Sequence, residues 1–164
     1  MSVSLFREMA RYNQWQNRQL YRACGSLDDA HRKRDCGLFF HSIHGTLNHL
    51  LLTDRLWMAR FTGDSFTVTG LDQQLYEQFD ELCEQRQHTD RQIVDFFDQR
   101  IDEDLQGILS YQSAATGEWR SFPQALCFNH FFNHQTHHRG QITAALSAQG
   151  IDFGVTDLIF MPRQ

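Results

Sequence analysis

Four stretches of the chain place apolar residues at three- and four-residue steps, the spacing that lines one face of a helix. The first, over about residues 2–24, carries Phe6, Ala10, Asn13, Asn17, Leu20 and Cys24, so two asparagines interrupt an otherwise apolar seam. Gly25 supplies a stop, and the Asp-, Arg- and Lys-rich stretch from Ser26 to Gly37 predicts a solvated connection. The second helix, about 38–61, has Ile43, Leu47, Leu50, Trp57 and Phe61 on one face and Gly45, His49, Leu52 and Leu56 on another, so most of its sides must be covered. Gly63 ends it, and Gly63 to Gly70 reads as a loop. The third helix is expected to start near Asp72 as N-cap and to run through Leu75, Phe79, Leu82, Ile93, Phe96 and Phe97 to about Arg100. Its polar middle, Glu84 to Arg91, predicts either a solvent-facing stretch or a break.

The period then changes. Ile108 to Tyr111 and Glu118 to Ser121 flank Ala114 to Gly117, which predicts a small hairpin. Ser121 as N-cap and Pro123 in the first turn launch a last helix to about Gln149, with Gly150 at its end. Only two prolines interrupt the whole chain, so long helices are free to form. The expected fold is all-α: four helices in a single domain over 1–164, with a small hairpin insert before the last helix.

A length of 164 residues with 41% hydrophobic and 21% charged side chains is in the range of one soluble globular core. Cys24, Cys36, Cys83 and Cys127 form no C-x-x-C pair, which argues against a disulfide framework and a thiolate zinc knuckle and fits a reducing cytoplasm. A net charge of -5 supplies no cationic field for a phosphate backbone, so nucleic acid is not an expected partner. Arg7, Glu8, Arg11, Arg18 and Arg22 exclude a signal peptide from the first helix, and no apolar run is long enough for a membrane span.

Seven of the nine histidines fall in two groups, His41, His44 and His49 on the second helix and His130, His134, His137 and His138 on the last. Residues four apart share a helix face, so His134 and His138 can aim ring nitrogens at one point, as a metal ion requires. They lie in a stripe with Cys127, Phe131, Gln141, Ala145 and Ala148 that is expected to face the core. His49 is the third candidate ligand, since its face points inward if it packs on the last helix. His130 and His137 flank the pair and are expected to be structural or substrate-facing. Cys127, about two turns before His134, is too far along the axis to share an ion and reads as a small core residue. Gly140 is costly inside a helix, which close approach of another helix or subunit would explain.

Several motifs together resemble the DinB family: Tyr12-Asn13-x-Trp15-x-Asn17, Ser42-Ile43-His44-Gly45-Thr46-Leu47-Asn48-His49, Asp54-Arg55-x-Trp57, Asn133-His134-x-x-x-His138-Arg139-Gly140-Gln141 and Thr156-Asp157-Leu158. The resemblance spans nearly the whole chain. It implies an antiparallel four-helix bundle, usually dimeric, with a divalent metal held at one end by His49, His134 and His138; zinc or nickel is the expected ion, and the apolar excess of the second helix places the expected homodimer contact on helix faces rather than on the hairpin. Some members of the family are transferases or isomerases that use a low-molecular-weight thiol.

Three neutral imidazoles leave the charge of a divalent ion uncompensated, so an open position favours hydroxide, thiolate or carboxylate. A metal-dependent thiol transferase acting on a small-molecule substrate, a non-catalytic metal-binding or stress-responsive protein, and a metallohydrolase are the three functions consistent with such a site. The hydrolase is weakened by the absence of a glutamate in an H-E-x-x-H arrangement. Asn13, Asn17, His130 and Gln141 are the candidates for orienting ligands or substrate.

Overall fold

The computed structural model describes residues 2–163. Helix α1 spans Val3–Gly25, a short α2 Asp29–Lys33, α3 Ile43–Thr62, α4 Phe79–Asp98 and α5 Gln124–Ser147, with strands β1 Ile108–Gln112 and β2 Trp119–Pro123 forming an antiparallel hairpin ahead of α5. The four long helices are the expected bundle. Two apolar clusters set their directions. One joins Leu20 and Cys24 at the end of α1, Ile43 and Leu47 at the start of α3, Leu82 at the start of α4 and Leu146 at the end of α5. The other joins Phe6, Trp57, Phe97 and Phe128 at the opposite end. Helix α1 therefore runs antiparallel to α4, and α3 to α5, whereas α3 and α4 run the same way, and residues 63–78 carry the chain back along the bundle.

That return segment explains why α4 starts at Phe79 and not at Asp72. Asn48, buried on α3, accepts from the backbone N–H groups of Leu75 and Tyr76 at 2.9 Å each and donates to the Tyr76 carbonyl at 3.0 Å. The His44 Nε2 lies 3.0 Å from that same carbonyl. These bonds hold the backbone of 75–76 outside a helix and satisfy polar groups that would otherwise be buried without partners. Gly63, at φ 79°, terminates α3 in the left-handed conformation.

The start of α3 is also later than residue 38, because Ser42 caps it, its Oγ accepting from Gly45 N at 3.0 Å. Residues 36–42 form a tight turn instead, closed by Cys36 N to His41 O and His41 N to Leu38 O, both 2.8 Å. His41 therefore lies outside the helix, exposed and at φ 64°. The connection 26–37 contains α2, capped by Asp28. Pro123, not Ser121, is the N-cap of α5, since Ser121 stays in the hairpin ladder opposite Ser110. Both apolar faces of α3 are covered within the chain, leaving Thr53 and Asp54 buried alongside its leucines. Gly140 is exposed on α5, and a Cβ there would meet nothing within 4 Å, so no helix of this chain approaches it.

The polar middle of α4 is unbroken and two-faced, with Glu84, Gln87, His88 and Arg91 exposed to solvent on one side. Arg86, Thr89 and Asp90 are buried at the centre of the bundle between the two apolar clusters. The Arg86 guanidinium donates to Asp54 Oδ2 of α3 at 2.6 Å and lies 2.9 Å from Asp90 Oδ1. Gln135 of α5 donates to Asp54 Oδ1 at 2.8 Å, Asn17 of α1 donates to Asp90 Oδ1 at 2.9 Å, and Arg139 of α5 donates to Asn13 Oδ1. Asn13 and Asn17, candidates for the site on sequence grounds, belong to this network. Burial pushes the Asp90 carboxyl up to about 6 against the pull of Arg86, and lowers Arg139 to about 10. Burial also disfavours the charge of Arg86, but Asp90 and Asp54 outweigh it and hold the guanidinium protonated.

Replacing Arg86 by Met should leave two buried carboxylates without their shared cation. The expected loss is about 3–5 kcal/mol of unfolding free energy in urea at pH 7, and a loss within experimental error would contradict the role assigned to the pair.

Candidate metal centre

Helices α3 and α5 bring His49, His134 and His138 together, with one ring nitrogen from each within 4.8 Å of the other two. The Nε2 atom of His134 is 3.3 Å from His49 Nε2 and 3.1 Å from His138 Nε2. Three basic nitrogens so close repel unless a cation or a shared proton lies between them, so the arrangement fits a metal ion.

Two of the three outward nitrogens are committed elsewhere. His49 Nδ1 is 2.7 Å from the Leu71 carbonyl in the return segment, and His138 Nδ1 is 2.7 Å from Gln141 Oε1 on α5. Both acceptors require the proton on Nδ1, which leaves Nε2 as the lone-pair nitrogen facing the centre. Gln141 thus has the orienting position anticipated for it, whereas Leu71 acts through its backbone and carries no side-chain signal in the sequence. Phe40 covers one side, its ring stacked on His49 at 3.7 Å between centroids and 19° between planes. The turn that delivers Phe40 passes so close to α3 that a Cβ on Gly45 would lie 2.4 Å from the Phe40 carbonyl oxygen. Glycine is required there for space.

The site is held neutral. Burial lowers His49 to about 4 and His134 to about 3, the latter aided by the charges its histidine neighbours would carry, and burial lowers His138 as well. The rings are therefore deprotonated and ready to donate at pH 7, before any ion arrives. His130 is exposed one turn before His134, with ring centroids 6.0 Å apart, and packs on Trp57 at 5.2 Å. His137 is exposed against His138 at 4.9 Å. Neither joins the three-nitrogen cluster. His134 lies at the edge of the buried stripe of α5, which continues through Gln135, Arg139 and Ile142 to Leu146. Gln135 and Arg139, each one residue beyond a clustered histidine, hold the central network and were not apparent as site-supporting residues from spacing alone. No helix among the described residues is long and apolar enough to cross a membrane.

The model of the DinB family matches residues 1–163. Protein DinB of Bacillus subtilis (strain 168) is 28% identical over 156 residues, covering 92% of this chain and 89% of the relative. The crystal structure of a DinB-like protein from Bacillus cereus ATCC 10987 superposes with a TM-score of 0.64 at 16% identity, covering 85% of this chain and 89% of the other.

Two outcomes test the centre. In the metal-free protein, histidines with depressed folded pKa values contribute stability that is present in full above pH 6.5 and lost progressively as pH falls from 6.5 to the folded values of about 4 and about 3, because the unfolded chain accepts protons that the folded site refuses. His134→Phe should flatten the slope of unfolding free energy against pH in that window by about one proton, measured by urea titrations at several pH values. Gly45→Ala should displace the Phe40 turn and destabilise the protein by about 1–3 kcal/mol, whereas Gly140→Ala should be neutral or stabilising.

Proposed function

The chain belongs to the DinB family, and on that premise we propose that His49, His134 and His138 hold a divalent ion, zinc or nickel, and that the protein is a transferase for a low-molecular-weight thiol. The observation that carries this reading is the convergence of three Nε2 atoms, with the Nδ1 atoms of His49 and His138 already engaged elsewhere. A divalent ion held by neutral imidazoles alone supplies an open, positively charged position that favours an incoming thiolate over a neutral ligand.

The chain's own residues prepare that position. His49 and His138 keep their rings fixed through Leu71 and Gln141. Phe40 excludes water from the His49 side. His130, whose ring packs on Trp57 and whose proton affinity is lowered by that partial desolvation and by Arg60, stands one turn from His134 and would accept the proton that a thiol gives up. The carboxylate whose charge is felt at His138 is Asp54, and Arg86 and Gln135 already occupy both of its oxygens. It is not free to activate water, which favours thiol chemistry over hydrolysis.

Pairing of two copies belongs to the same proposal. The helix faces expected to carry it are not free, since α3 is covered inside one chain, and the exposed apolar side chains that remain include Phe39 and Ile101, Ile108 and Trp119 on the outer hairpin face, and the C-terminal Ile159 and Phe160.

Metal content by elemental analysis should fall sharply in His49→Ala, His134→Ala and His138→Ala and stay at one ion per chain in His31→Ala and His88→Ala. Full retention in all three ligand variants removes the metal site. Bacillithiol-, mycothiol- and glutathione-like thiols should then be tried against a model electrophile. The metal-loaded protein is expected to exceed the chelated protein and His138→Ala by about tenfold or more with at least one thiol. Equal rates across the panel would leave a non-enzymatic metal protein, and turnover without thiol a hydrolase.

A further inference from the structure

A cavity of about 270 Å³ opens between the hairpin and the bundle one helical turn from His134. Its walls are Trp57, Tyr111, Phe122, Leu126, Cys127 and His130. The hairpin register puts Tyr111 and Phe122 on the inner face and leaves Ile108 and Trp119 on the outer one, so the strands serve as a wall of this cavity. Phe122 and Leu126 are partly exposed at its mouth, while Cys127 and Trp57 are buried at its base. Apolar walls of this kind, with one aromatic ring edge-on to another, suit a flat hydrocarbon body.

Beside the cavity lies a charge with no carboxylate partner among the described residues. The Arg60 guanidinium lies over the rings of both Trp57 and Tyr111, at 4.6 and 4.1 Å from their centroids. It is half-buried, and among the described residues no carboxylate pairs with it. Burial raises the Cys127 thiol and lowers the His130 ring, and the charge of Arg60 acts on both. The guanidinium borders the cavity, lying over two of the rings that line it. Two aromatic faces hold the guanidinium plane while its N–H donors are free of protein carboxylates, an arrangement that recognises an anionic oxygen pair.

We propose that this cavity binds a small organic acid with a flat apolar body, the carboxylate on Arg60 and the body against Trp57 and Leu126, and that it is the substrate pocket of the three-histidine centre. The second half of the proposal rests on the metal reading above, and the first does not. His130 lines the cavity and its ring lies 6.0 Å from that of His134, one turn of α5 away, so a substituent passing His130 reaches the centre from the His134 side.

The test is calorimetric titration of the metal-free protein with 2-naphthoate and with its neutral counterpart, 2-naphthalenemethanol. Naphthoate should bind with Kd of about 1 mM or tighter and at least about tenfold more tightly than the alcohol. Arg60→Gln should equalise the two ligands, Arg60→Lys should restore part of the preference, and Leu126→Trp, at a mouth position 52% exposed, should abolish binding of both. His130 ring resonances should shift on addition of naphthoate in the wild-type protein alone. Absence of naphthoate binding overturns the proposal, as does a preference unchanged in Arg60→Gln. If Leu126→Trp alters the mass measured by light scattering and no acid binds, this face is a subunit interface and the proposal falls. Because the titration uses metal-free protein, failure to load metal leaves a positive result standing, and failure of naphthoate leaves the metal reading untouched. Where both metal and naphthoate bind, metal loading should change naphthoate affinity, and identical affinities would sever the cavity from the centre.

Discussion

Arg86 sits where all four long helices meet, and the requirement that its buried charge be paired dictates how they are rotated. Two carboxylates from different helices flank it, and each carboxylate is held by an amide from a further helix. Apolar packing alone would tolerate sliding or turning of a helix by a residue at modest cost, since one leucine substitutes for another. A displaced Arg86 would instead strand charge in the interior, so the network selects one arrangement. Its two contacts on α5, Gln135 and Arg139, each follow a clustered histidine by one residue. Pointing those two side chains at the centre turns His134 and His138 towards α3, where His49 meets them. The site lies on the flank of a bundle whose polar centre sets its geometry.

What the sequence made legible follows from range. Hydrophobic period is local, and it identified four long helices, the hairpin and the stop at Gly63. The pair His134 and His138 was legible for the same reason, since four residues make one turn whatever surrounds them. The misplaced boundaries depend on distant partners. Asp72 has the chemistry of an N-cap, but Asn48 on another helix takes the backbone of 75–76 into its own bonds. Glu84 to Arg91 has the composition of a surface stretch, and Arg86 and Asp90 are interior only because Asp54 and Asn17 are supplied from elsewhere. Leu71 could not be found by residue type at all, because what it contributes is a carbonyl.

The two proposed subsites differ in how they treat charge. At the histidine centre, burial removes protons so that neutral nitrogens face a common point. In the neighbouring cavity a permanent cation is kept among aromatic faces without a protein anion. One expects a cation and the other an anion, a turn of helix apart, which suits a substrate polarised along its length.

The return segment 63–78 has a consequence of its own. It is a connection by topology, needed because α3 and α4 run the same way, yet Leu71 within it fixes the ring of His49 and Asn48 fixes the segment. Ring and segment are therefore thermodynamically linked: whatever orders one must order the other by the same free energy. An ion on His49 would tighten a surface stretch of backbone several residues long, and a local opening of that stretch would loosen the ion without unfolding the bundle. With an ion on the proposed centre, a crossover imposed by chain direction would double as the element through which its occupancy is communicated to the molecular surface.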